Sequence, residues 1–99
     1  MKEKDGPVNM AEIMNKGRMQ VLIAAKILQK RHVTITSRAI AKVADMSVSS
    51  VANRLKLMEG HYIIHSGIVE NYSLGKANVY KLSKTGDKAI RNYLLTDAA

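Results

Sequence analysis

TSRAIAKVADMSVSSVANRLKLMEG, residues 36–60, is the stretch that decides how the rest of the chain is read. It predicts two short helices joined by a tight turn. Ala41 is small at a position where a second helix must cross close by. Asp45 stands at the turn, and Asp tolerates the left-handed or bridge conformation that such a turn needs. Ser47 follows as an N-cap for the second helix. Val48, Val51 and Leu55 recur at i, i+3 and i+7, the spacing of one buried helical face. Ser49, Ser50, Asn53, Arg54 and Lys56 fall largely on the other side, and all five can hydrogen-bond. That is the pattern of a helix-turn-helix whose second helix is offered to a partner.

Working outward, 99 residues make one domain with a single modest core. Four Tyr are the only large aromatics, with no Phe and no Trp, so that core must be aliphatic. The chain has no cysteine, which excludes disulfides and thiolate metal sites. No apolar run approaches ~18 residues, so no transmembrane span is expected. The first residues, MKEKDGPVN, are charged with no apolar run behind them, unlike a signal peptide. The expected location is the cytoplasm.

The charge is uneven. Sixteen Lys and Arg against eight Asp and Glu give +8 overall. Residues 16–91 hold fourteen of the cations against Asp45, Glu59, Glu70 and Asp87 alone, which is +10. A folded unit this basic attracts polyanions, nucleic acid above all.

Residues 1–8 carry the only proline and mixed charges, and read as a flexible N-terminus. Asn9, with Glu12 three residues on, has capping-box spacing. Met10, Ile13, Met14, Val21, Leu22, Ala25 and Leu28 form a broad apolar stripe, which Gly17 divides into a leading helix of about 9–16 and a main helix of about 18–31. Ile23 and Ile27 lie off the main line, so the stripe is wider than one small core requires and part of it is expected to meet a second subunit. His32-Val33-Thr34-Ile35 alternates and reads as a short strand. Thr36 or Ser37 caps the next helix, where Ile40, Ala41 and Val43 face inward. After Gly60 the period shortens to two. Residues 62–72 and 77–82 read as a hairpin with its tip at Ser73–Lys76 and Gly75 as its turn residue. Ser83 or Thr85 starts a last helix with Ile90, Tyr93 and Leu94 as its apolar side.

This order resembles the winged helix-turn-helix superfamily. Ile40-Ala41, then Met46-Ser47 and Ser50-Val51, is similar to its helix-turn-helix core. Asn53-Arg54-Leu55-Lys56-Leu57-Met58-Glu59-Gly60, running on to Ile63-Ile64, looks like the exit from a recognition helix into the first wing strand. Tyr80-Lys81-Leu82-Ser83-Lys84-Thr85-Gly86 looks like the close of the wing in MarR- and PadR-like transcription regulators. The resemblance covers about residues 36–90. It implies an α+β fold: helix, short strand, helix, helix, two-stranded wing and C-terminal helix, one domain over residues 9–95. The helix-turn-helix would span 36–60 and the wing 62–82.

If so, the helix over 47–59 enters the major groove of double-stranded DNA. Ser49, Ser50, Asn53 and Arg54 are the candidates for base edges, since Asn can pair bidentately with adenine and Arg with guanine. Arg38, Lys42, Ser47, Lys56 and Lys76 are the candidates for phosphates, which supply affinity but carry no base information. The expectation is a sequence-specific transcription regulator, homodimeric through its N- and C-terminal helices. The alternatives are a non-specific architectural DNA binder and a winged-helix protein–protein module. RNA binding lacks an aromatic platform for stacking bases. His61 and His65 lie past the helix, and in a strand they would stand about 13 Å apart, too far for one zinc. Without a phosphate-binding glycine loop or a nucleophile–base pair, no enzyme, metal or cofactor is expected.

Overall fold

Each helix begins where a short polar side chain can accept from a backbone N–H that has no helical partner. The computed structural model describes residues 15–71 and 75–98. Asn15 accepts from the Arg18 N–H at 2.9 Å and opens α1, Lys16–Lys30. Thr36 accepts from Ala39 at 3.1 Å and opens α2, Ser37–Ala44. Ser47 accepts from Ser50 at 3.1 Å and opens α3, Val48–Met58. Two strands follow, β1 over Ile63–Asn71 and β2 over Gly75–Leu82. Ser83 then accepts from Gly86 at 2.9 Å and opens α4, Lys84–Ala98. The fold is α+β, four helices and a two-stranded antiparallel sheet among the described residues, compatible with a winged-helix layout. The flexible 1–8 segment, the leading helix from Asn9 and the hairpin tip at 73–74 lie outside the described residues.

The core is aliphatic, with two tyrosines. Val21, Leu22 and Ala25 of α1 meet Ile40 of α2, Val51, Leu55 and Met58 of α3, and Ile63 at the foot of β1. Tyr62, Tyr80, Leu82 and Ile90 close it from the hairpin and α4. No polar or charged described residue is buried. Full burial of a side chain such as Leu22 or Leu55 contributes about 1.5–3 kcal/mol, so this cluster carries most of the favourable free energy.

The sequence expectations need four corrections here. The main helix starts at Lys16, and Gly17 lies inside its first turn rather than between two helices. His32–Ile35 is not a strand: His32 has φ 58°, and Val33 donates to the Leu28 carbonyl at 2.9 Å, closing α1 in a Schellman-type turn. Only Ile35 pairs, as an isolated bridge in which the Tyr80 N–H donates to its carbonyl at 2.9 Å. The buried face of α3 is Val51, Leu55 and Met58, whereas Val48 is 37% exposed. Val48 occupies the first helical position and turns toward the hairpin instead of the core. Ile90 is buried in its own domain, which removes it from any subunit contact.

Asp45 takes φ 57° and ψ 52°, the left-handed conformation that lets α3 leave α2 sharply. In the hairpin Ile63 stands opposite Leu82, and Glu70 opposite Lys76. The register shifts between His65 and Gly67, a bulge at Ser66 whose hydroxyl donates to the Val79 carbonyl at 3.4 Å. The Ser83 hydroxyl also donates to the His61 carbonyl at 2.6 Å, so one side chain caps α4 and ties it to the loop after α3. Gly86 makes that junction possible: a Cβ there would come within 2.1 Å of the Tyr62 carbonyl oxygen.

Candidate nucleic-acid interface

With Val51, Leu55 and Met58 turned inward, the 100° step of the helix sends Ser49, Asn53, Lys56 and Leu57 outward. Ser49, Asn53 and Lys56 are exposed, and the Asn53 amide has no partner among the described residues. An amide presented in this way keeps its donor and acceptor for a ligand. Ser47 is also exposed; its hydroxyl caps α3 and lies 3.5 Å from the Ser49 hydroxyl.

Ser50 and Arg54 occupy the flank of α3 that faces α1, and both are half-buried. Arg54 Nη1 donates to the Ser50 carbonyl at 3.2 Å and to the Ser50 hydroxyl. The rest of its guanidinium lies over Gly17, where a Cβ would stand 2.8 Å from Nε and 2.9 Å from Nη2. The four base candidates therefore divide into two pairs, Ser49 and Asn53 outward, Ser50 and Arg54 folded toward α1.

The opposite flank of α3 borders a cleft of about 240 Å³ between the start of α2, Val48 and the hairpin. Arg38 and Lys76 stand on its two sides, with Thr36, Val69 and Asn78 between them. Both cations are exposed, as are Lys42 on α2 and Lys56 on α3. Glu70, directly across the ladder from Lys76, offsets part of its charge. The hairpin wall is ordered from within, since His65 Nε2 and Asn78 Oδ1 are 3.0 Å apart and the His65 ring meets Tyr80 edge-on at 5.8 Å.

Among the described residues no group of three or more His, Asp or Glu is arranged to hold a metal ion. No described helix is long and apolar enough to cross a membrane. Burial pushes the Tyr62 phenol above its usual value. Asp87 is paired with Lys26, 2.9 Å away, between α4 and α1.

Gly17 and Asn78 escaped the sequence reading of the site. The signal for Gly17 was present: a glycine inside a helical pattern costs about 1 kcal/mol relative to alanine, so it calls for a packing reason. Asn78 had none, because hairpin register is invisible without the bulge. No protein-family model matches the chain, and neither a curated protein nor a solved structure matches it significantly.

Proposed function

We propose that this chain is a winged-helix protein that binds double-stranded DNA sequence-specifically, as a transcription regulator, with α3 in the major groove. The observation that carries the reading is the outward face of α3, where Ser49 and an Asn53 amide with no partner among the described residues sit beside Lys56 in a unit of net charge +10 over residues 16–91. An α-helix fits the major groove, and an amide there can pair with adenine. The hairpin is then the wing. Its cleft with α2 is flanked by Arg38 and Lys76, suitably placed for the phosphate backbone beside the groove. Lys42 and Lys56 would add further phosphate contacts.

A homodimer belongs to the same reading. With Ile90 buried, the surfaces for it are Leu94 and Leu95, 52% and 66% exposed on α4, and Ile23 and Ile27 along α1. A two-fold pair would set two α3 helices about one DNA turn apart on a pseudo-palindrome.

Selection from a random duplex pool, with a salt series on the winning sequence, tests the proposal. One enriched motif is expected, and affinity should fall steeply from low to moderate salt. Asn53→Ala should weaken discrimination at one base pair by about 1–3 kcal/mol, whereas Lys42→Ala should weaken all sequences alike. Binding without enrichment would point to the architectural alternative. A flat salt response would argue against the assignment, and no duplex affinity at all would point to a protein–protein module.

A further inference from the structure

We propose that Gly17 of α1 sets which residues of α3 read bases, by keeping Arg54 out of the reading set. This rests on the DNA-binding reading above. The guanidinium is seated from two sides. Nη1 is held by the Ser50 carbonyl and hydroxyl, one turn back on the same helix. Nε and Nη2 lie over the Gly17 α-carbon, within the space a methyl group would fill. With Nη1 satisfied inside the protein and the planar group lodged in the notch, Arg54 has no free fork for a guanine edge, which needs two parallel donors. Base recognition is left to Ser49 and Asn53.

The seat is permitted by shape more than favoured by charge. It lies at the first turn of α1, the positive end of the helix dipole, beside Lys16 and Arg18 in sequence. Among the described residues a cation there gains little beyond the Ser50 bonds, so loss of the notch should release it. The atoms that a new Cβ would meet are the far end of a long flexible side chain. Gly17→Ala can therefore be accommodated by moving Arg54 alone, and the freed side chain is long enough to swing toward the face that carries Asn53. Gly17 is in this sense a positioning residue that acts through Arg54.

The experiment compares the intact chain with G17A, R54A and the double variant in selection from random duplexes, alongside NMR of the Arg54 Nε–H resonance, assigned by its loss in R54A. Wild type and R54A should enrich the same motif. G17A should shift the Arg54 resonance and add a guanine preference of roughly fivefold or more at one position. The double variant should return to the wild-type motif, an outcome that general damage to the fold would not produce. An R54A chain that loses information at one base pair overturns the proposal, as does a G17A chain with an unmoved resonance or an unchanged motif. A wild-type chain that enriches no motif overturns the sequence-specific reading itself, and the specificity role with it.

Discussion

Gly17 and Gly86 both stand in the first turn of a helix, and both leave out a side chain so that something else can come close. At Gly86 the neighbour is backbone. The Tyr62 carbonyl oxygen would be 2.1 Å from a Cβ; it accepts from the Ser83 N–H, while the Tyr62 N–H donates to the Met58 carbonyl. At Gly17 the neighbour is the tip of an arginine. Backbone packed into a core cannot retreat without moving the elements attached to it, whereas a guanidinium can rotate away. One glycine thus serves the fold, and the other serves the surface that α3 presents. Residue type alone does not separate the two roles; the rigidity of what fills the space does.

The comparison breaks most visibly at Gly86. Gly86→Ala should cost about 3 kcal/mol, the upper range for overpacking, and lower the thermal midpoint by roughly 12–24 °C. A midpoint within a few degrees of wild type would show that the Tyr62 backbone yields. Ser83→Ala attacks the same junction through hydrogen bonds, removing the cap on Gly86 and the tie to the His61 carbonyl. A loss of about 1–2 kcal/mol in urea unfolding is expected. A third effect at this junction is a slope in pH. Burial raises the folded Tyr62 phenol above its unfolded value of about 10, so above that pH the unfolded chain gives up a proton the folded chain keeps. Stability should fall as pH rises past 10, and Tyr62→Phe should flatten that fall in alkaline unfolding curves. The smallest effect sharpens the contrast: Gly17→Ala should leave the unfolding free energy within about 0.5 kcal/mol of wild type, or raise it slightly through better helix propensity. A large loss there would mean that Arg54 is as fixed as the Tyr62 backbone.

Much of the architecture was legible because local chemistry and burial agreed. Ser47 is identifiable as a cap from residue type and position, and Thr36 or Ser37 and Ser83 or Thr85 as pairs of alternatives; the structure selects Thr36 and Ser83, and each of the three makes its cap bond. Asp45 at the turn, and the period changing from helix to strand after Gly60, were equally readable. His32–Ile35 misled because alternation over four residues also fits a Schellman turn leading into a single bridging residue, and nothing local tells them apart. Val48 misled because the first position of a helix has no preceding turn to hold it on the core side. In the candidate site, the polar face of α3 was legible as a set. Its division into Ser49 and Asn53 against Ser50 and Arg54 was not, since that depends on how α1 crosses the flank.

For residues 36–60 the sequence by itself determined the two helices, the sharp turn between them and the polar composition of the second. Each of those follows from side chains acting on their own backbone within a few residues. The tertiary structure alone decided where the polar residues point. Arg54 lies in a notch made by Gly17, thirty-seven positions earlier, and Gly86 lets α4 dock on a carbonyl twenty-four positions earlier. Contacts of that separation depend on the packing of whole elements, and no local pattern in the chain encodes them.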